Sequence, residues 1–258
     1  MPQTKIIFFD IDGTLIDMQA KKITPKMLET LHRLQDRGIK ICIATGRSPM
    51  VLPKIDGVAF DAYLTFNGSL CYDRKGVIFS NPIPHKDVVR FIQNAAALGR
   101  PVCVSTRDRL AANGTDTDLT DYFFIANEPV PVADDFDAVC AEDIYQLMLG
   151  CRPKDYPALL DGAPGAKIAA WWDRAVDVIP AGGGKGIGIE KMLAYYGLDK
   201  GEALAFGDGN NDREMLQAVG TGVAMENGSP ELKALADEIC GPVYEDGIYH
   251  YCADKGLI

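Results

Sequence analysis

Ile6-Ile7-Phe8-Phe9 is a continuous apolar run that stops at an acid, Asp10. An apolar run this short, without alternation, reads as a strand buried on both faces, which requires helices above and below it and hence a parallel sheet. Ligands in doubly wound sheets bind at the carboxyl ends of the strands, and this strand delivers Asp10-Ile11-Asp12-Gly13-Thr14 to that edge. Side chains two apart on a strand point the same way, so Asp10 and Asp12 face one point if the extended geometry persists through Asp12. Two carboxylates beside an apolar strand repel each other and are poorly solvated unless a cation or a shared proton holds them there.

The rest of the chain supplies matching parts. Thr24-Pro25 starts a helix whose stripe is Met27, Leu28, Leu31 and Leu34, with Gly38 ending it. Strands are expected at Ile39 to Ala44 and Asp61 to Phe66, so strands alternate with helical patterns and predict right-handed βαβ units. From about Asn81 to Pro180 the texture changes to a helix at Asp87 to Leu98 and strands at Pro101 to Ser105, Ile144 to Leu149 and Lys167 to Trp172. A polar stretch covers Asp108 to Asp121. After Pro180 the βα texture resumes, with a helix stripe at Ile189, Met192, Leu193 and Tyr196, a strand at Ala203 to Phe206, and a helix at Met215, Leu216 and Val219. The expected architecture is α/β: a Rossmann-like doubly wound parallel-sheet core, residues 1–81 and 182–258, interrupted by an inserted α+β cap domain, residues 82–181.

Charge and cysteine usage narrow the function classes. With 26 Lys+Arg against 36 Asp+Glu the formal net charge is −10, and no basic block occurs, so nucleic acid and anionic membrane surfaces are poor partners. Seven cysteines with no CxxC suggest neither a disulfide framework nor a zinc site, and free thiols fit a cytoplasmic location. The N-terminus lacks the apolar stretch of a signal peptide, and no run of apolar residues is long enough to span a membrane.

Three further segments end at the same sheet edge. One carries Thr45-Gly46-Arg47, a second carries Lys185 after Gly182-Gly183-Gly184, and a third is Gly207-Asp208-Gly209-Asn210-Asn211-Asp212. Each has a plain alternative: Thr45 and Asp212 as helix caps, Asp12 and Asp208 as turn formers, Lys185 as a solvated lysine in a glycine hinge. Their convergence favours a site. Oxygen-only acids with no His or Cys nearby favour a hard cation such as Mg²⁺. A P-loop is excluded because Gly186 stands where Ser or Thr is required and Ile179 where the first glycine would be; a G-x-S-x-G elbow is absent. His32, His85 and His250 are isolated and read as structural or surface residues.

An aspartate can form a covalent intermediate with a phosphoryl group. Asp10 as nucleophile needs the phosphate charge neutralised, which a cation and Lys185 supply, while Thr45 and backbone amides of the first loop hold phosphoryl oxygens. Asp12 is then the general acid for the leaving oxygen and the general base for water. The net reaction is hydrolysis of a phosphate monoester.

Asp10-Ile11-Asp12-Gly13-Thr14-Leu15, Ala44-Thr45-Gly46-Arg47, Lys185-Gly186 and Gly207-Asp208-Gly209-Asn210-Asn211-Asp212 resemble the four ordered motifs of the haloacid dehalogenase (HAD) superfamily. Together with Thr65-Phe66-Asn67-Gly68 they are similar to its Cof-type branch of sugar-phosphate phosphatases. The resemblance implies a Mg²⁺-dependent phosphatase acting on a small phosphorylated metabolite through an aspartyl-phosphate, with a cap that closes over it. It further implies Asp10 as nucleophile and Asp12 as acid/base. Asp10, the Asp12 backbone carbonyl, Asp208 and Asp212 would hold the metal, and Thr45, Gly46, Lys185 and Asn211 the phosphoryl group. Arg47 fits the branch pattern without an assigned role, and Arg107, Asp108 and Arg109 are leaving-group contacts or a solvated face. A sugar phosphomutase and a phospho-aspartate signalling module are the alternatives; the second acid and the insertion argue against the latter.

Overall fold

A computed structural model describes residues 3–125, 127–170 and 172–258. The first element, β1 (Ile6–Phe9), has all four side chains fully buried. In α1 (Pro25–Asp36) the Thr24 hydroxyl accepts from the Met27 N–H at 3.1 Å, and Met27, Leu31 and Leu34 form the buried stripe. Next come β2 (Lys40–Ala44), β3 (Ala62–Thr65), and an antiparallel hairpin of β4 (Leu70–Asp73) and β5 (Gly76–Ser80). The middle of the chain holds α2 (His85–Ala97), β6 (Cys103–Ser105), β7 (Leu110–Ala112), α3 (Thr117–Ile125), α4 (Phe136–Val139), β8 (Gln146–Gly150), α5 (Tyr156–Leu160), β9 (Ala166–Ala169) and β10 (Ala175–Pro180). It ends with α6 (Lys185–Tyr196), β11 (Ala203–Gly207), α7 (Arg213–Ala218), β12 (Thr221–Met225), α8 (Pro230–Leu235), β13 (Glu238–Cys240) and α9 (Gly247–Asp254).

Two compact units result. One comprises the chain up to Arg47, Pro53–Ser80 and Gly184–Ile258; the other comprises Ser48–Leu52 and Asn81–Gly183. The first is built on an eight-stranded sheet in the order β13-β12-β11-β1-β2-β3-β4-β5. Strands β13 through β3 pair in parallel, and the β4–β5 hairpin extends the sheet antiparallel, which makes this a mixed α/β fold with a mostly parallel sheet. On one face Ile6 and Phe8 join Cys42, Ala44, Leu64 and Ala205 beneath Ile189 and Met192 of α6 and Met215 and Leu216 of α7. On the other Phe9 stacks on Phe206, which meets Tyr251 of α9 edge-on. Burying an Ile or Phe side chain is worth roughly 1.5–3 kcal/mol, so the central strand anchors the loop that follows it.

The second unit is a five-stranded antiparallel sheet, β7-β6-β8-β10-β9. Val104, Leu147, Leu149, Val176 and Val178 pack under Val88 and Phe91 of α2, Phe136 and Val139 of α4 and Leu159 of α5. Leu119 and Phe123 of α3 pack instead with Cys103, Ala112 and Met148. Asp118 of α3 accepts hydrogen bonds from Arg100, Arg152 and Arg174, tying that helix to three other segments.

Several expectations shift. The third strand stops at Thr65, because Phe66 and Asn67 adopt left-handed φ of 50° and 52°. The polar stretch from Asp108 to Asp121 contains β7 and the first residues of α3, whose short apolar faces its acids and threonines mask. Strand β9 covers Ala166–Ala169 of the run expected to reach Trp172, and Trp171 lies outside the described residues. The helix expected near Ile187 begins at Lys185. All seven cysteines are free and buried. Among the described residues no helix is long and apolar enough to cross a membrane.

Candidate active site

The motif residues meet at the carboxyl edge of the parallel strands, within the first unit. Strand β1 releases Asp10 on one side of β11, and β11 releases Asp208, while Lys185 is the first residue of α6. Asp10, Asp208 and Asp212 each offer a carboxylate oxygen within 4.8 Å of the others. The buried Lys185 ammonium donates to Asp10 Oδ1 at 2.6 Å and to Asp212 Oδ1 at 2.5 Å. Asp212 Oδ2 accepts from the N–H groups of Asp208 and Gly209, which shapes the acidic loop. It therefore organises its own loop; the capping side-chain bond to α7 is absent. Asp208 Oδ1 accepts from the Thr14 hydroxyl at 3.0 Å. Gly13, at φ +80°, lies so close that a Cβ there would stand 2.1 Å from Asp208 Oδ2; no other residue type fits. Asn227 holds the Gly13 carbonyl at 2.8 Å.

Charge balance explains what this cluster can take up. Burial pushes the Asp10 carboxyl well above the ordinary carboxylate range; Lys185 pulls it back, and Asp212 and Asp208 push it further up. Asp208 rises to about 7, chiefly through burial and then through Asp212. For Lys185, burial opposes the charge, yet Asp10 and Asp212 outweigh it and raise the ammonium above its ordinary value. Three carboxylates against one lysine leave an excess of buried negative charge, and the donor set is all oxygen, which suits a hard divalent cation. Two oxygens remain without hydrogen bonds among the described residues, Asp10 Oδ2 and Asp208 Oδ2, and so does the Asp12 carbonyl. The N–H groups of Ile11, Asp12 and Gly46 likewise donate to nothing among the described residues, which leaves them available to an anion.

Asp12 departs from the sequence reading. Extended geometry ends at Phe9, and the chain turns through Ile11, whose carbonyl accepts from Leu15 and Ile16. Strand alternation therefore does not place the Asp12 carboxylate. Arg47 grips it instead, Nε to Oδ2 at 2.8 Å and Nη2 to Oδ1 at 2.6 Å, an ion pair about one-third exposed. Thr45 is buried, and its hydroxyl accepts from the Arg47 N–H at 3.1 Å. Asn211 is exposed, and its amide donates to Asn67 Oδ1 at 3.4 Å. The roles of Thr14, Asn227 and Arg47 escaped the sequence because each acts across 35 to 214 residues of chain. Arg109 pairs with Asp135, Arg107 lies 3.8 Å from Asp108, and His85 Nδ1 meets the Cys140 carbonyl, all remote in sequence from the four motifs.

Comparison with known proteins agrees with this geometry. The model of the haloacid dehalogenase-like hydrolase family matches residues 7–252. YkrA of Bacillus subtilis (strain 168), which carries a phosphatase name, is 35% identical over 99% of each chain. The structure of the HAD-superfamily phosphatase BT1666 from Bacteroides thetaiotaomicron superposes with a TM-score of 0.92 at 30% identity, covering 99% of this chain and 96% of that one. The subclass IIB sugar phosphatase BT4131 gives 0.88 at 28% identity, covering 99% and 100%. The acids gathered around one lysine at the sheet edge and matches along the whole length lead to one conclusion: the chain belongs to the haloacid dehalogenase-like hydrolase family, in its Cof-type branch, and is an enzyme of the phosphatase kind.

Proposed function

We propose that the protein is a Mg²⁺-dependent phosphatase that hydrolyses small phosphorylated metabolites, sugar phosphates foremost, through an aspartyl-phosphate on Asp10. The observation that carries this reading is the buried Lys185 bridge, which ties up one oxygen of Asp10 and leaves the other without a partner among the described residues. A carboxylate oriented in this way presents a single nucleophilic oxygen beside a fixed positive charge. The all-oxygen donor set and the raised Asp10 and Asp208 carboxyls fit Mg²⁺, held by Asp10, Asp208 and the Asp12 carbonyl with Asp212 in support. When bound, the ion supplies charge neutralisation for the phosphoryl group.

The chain's own residues perform the rest. Lys185, Thr45 and the N–H of Gly46 hold phosphoryl oxygens while Asp10 Oδ2 attacks phosphorus and the ester oxygen departs. Asp12 donates the proton that the leaving oxygen takes, then accepts one from the water that opens the aspartyl-phosphate. Arg47 bonds both oxygens of Asp12 and so fixes where this carboxyl stands for the proton transfer. The sugar phosphatase among the structural relatives supports the substrate class.

The test is a panel of phosphate esters assayed for free phosphate with Mg²⁺ and with a chelator, without any sugar bisphosphate activator. Turnover that survives chelation refutes the metal assignment. Asp10→Asn abolishes turnover in a folded protein; residual activity above a few per cent would rule out Asp10 as nucleophile.

A further inference from the structure

The turn after β3 contains a side-chain donor that the reaction as described does not use. Phe66 and Asn67 have φ of 50° and 52°, and Gly68 follows at 90°, three consecutive residues on the left-handed side. Such a conformation is rare for a buried aromatic residue and persists only where the surroundings impose it. Here two backbone bonds impose it: the Phe66 N–H donates to the Arg47 carbonyl and the Asn67 N–H to the Thr45 carbonyl, each at 3.0 Å. The turn is thus fastened on both sides of Gly46.

Those bonds seat the Asn67 side chain, only 5% exposed, against Gly46. A Cβ at position 46 would stand 3.1 Å from both its Nδ2 and its Oδ1. Asn211 reaches Oδ1 from the acidic loop at 3.4 Å and sets the orientation of the amide. Its Nδ2 has no hydrogen-bond partner among the described residues. With the rest of the side chain buried, this open amide nitrogen lies between Gly46 and Asn211, which the family resemblance gives as phosphoryl-binding positions.

We propose that the Asn67 amide donates a hydrogen bond to a phosphoryl oxygen of the substrate, alongside Lys185, Thr45 and the Gly46 N–H. This rests on the phosphatase reading above. A turn former alone would be served equally by glycine, which adopts left-handed φ without cost and carries no amide.

Asn67→Gly therefore separates the two roles, since it keeps the turn and removes the donor. Orthovanadate binding, measured by calorimetry with Mg²⁺ present, and KM for an active ester are compared with wild type. Loss of one bond to a charged ligand corresponds to about 10- to 100-fold weaker vanadate binding and a raised KM, with the melting temperature of Asn67→Gly at or above that of Asn67→Ala. Asn67→Asp, which aims a carboxylate at the phosphoryl group, weakens binding further, and Gly46→Ala, which displaces the amide, weakens it in the same direction. Vanadate affinity and KM of Asn67→Gly within twofold of wild type would overturn the proposal and leave Asn67 a turn former. A wild-type protein that neither binds vanadate nor releases phosphate overturns the phosphatase reading itself.

Discussion

Replacing Lys185 with methionine tests the electrostatic logic of the site directly. The substitution keeps an unbranched side chain of similar reach and removes the charge that bridges Asp10 and Asp212 inside the protein. Removing one partner of a buried ion pair costs about 3–5 kcal/mol, because the remaining charge is left uncompensated. At about 2–4 °C per kcal/mol for a chain of this size, the melting temperature falls by roughly 6–20 °C. The effect depends on pH in a defined direction. A carboxyl whose folded pKa is raised above its unfolded value destabilises the fold once the pH climbs past the unfolded value, and that cost vanishes as it is protonated on acidification. Asp10 and Asp208 are both raised in the wild type, Asp208 to about 7, and loss of the lysine moves Asp10 higher still. Scanning calorimetry in chelator at pH 8 therefore shows the full difference between wild type and Lys185→Met, and at pH 5 the difference shrinks. A drop below 2 °C at pH 8, or a gap indifferent to pH, would refute the account of Lys185 as the counter-ion of a buried acid cluster.

Further outcomes follow from the same geometry. Arg47→Ala frees Asp12 from its clamp and leaves proton transfer unaligned, so kcat/KM falls about 10²-fold or more on alkyl phosphates and far less on 4-nitrophenyl phosphate, whose leaving group needs no proton; equal losses on both would contradict it. Mg²⁺ at about 100 times its Kd stabilises the wild type by about 2.7 kcal/mol, or roughly 5–11 °C, and Asp208→Asn loses most of that thermal shift. In the second unit, Asp118→Asn weakens the clamp of Arg100, Arg152 and Arg174, and its melting temperature falls below that of the wild type at neutral pH. The bond from Arg152, with that from Arg174, holds the Asp118 carboxyl below its ordinary value. Its stabilisation is thus present above about pH 4 and is lost as pH falls through the lower folded value, so the wild-type advantage over Asp118→Asn closes below about pH 4 in thermal melts.

Some elements were legible because their causes are local. The β1 run is apolar at every position and can lie only between two layers, and the Thr24-Pro25 start of α1 states its own cap. Strand β7 and helix α3 were not, since three or four apolar residues among acids and threonines reveal a buried face only once a sheet exists to receive them. The same holds within the site. Asp10, Lys185, Asp208 and Asp212 could be gathered from motif order, because each follows a strand or opens a helix at one sheet edge.

Sequence by itself thus determined the sheet, its family and which acids and lysine converge, since those depend on apolar runs and on residues placed at strand ends. Tertiary structure alone decided what each carboxylate oxygen does. Side-chain direction is set by partners far along the chain: Arg47 grips both oxygens of Asp12, Thr14 engages one oxygen of Asp208, and a left-handed turn held by Thr45 and Arg47 seats the Asn67 side chain against Gly46. None of those choices has a local cause, so no reading of neighbouring residues reaches them.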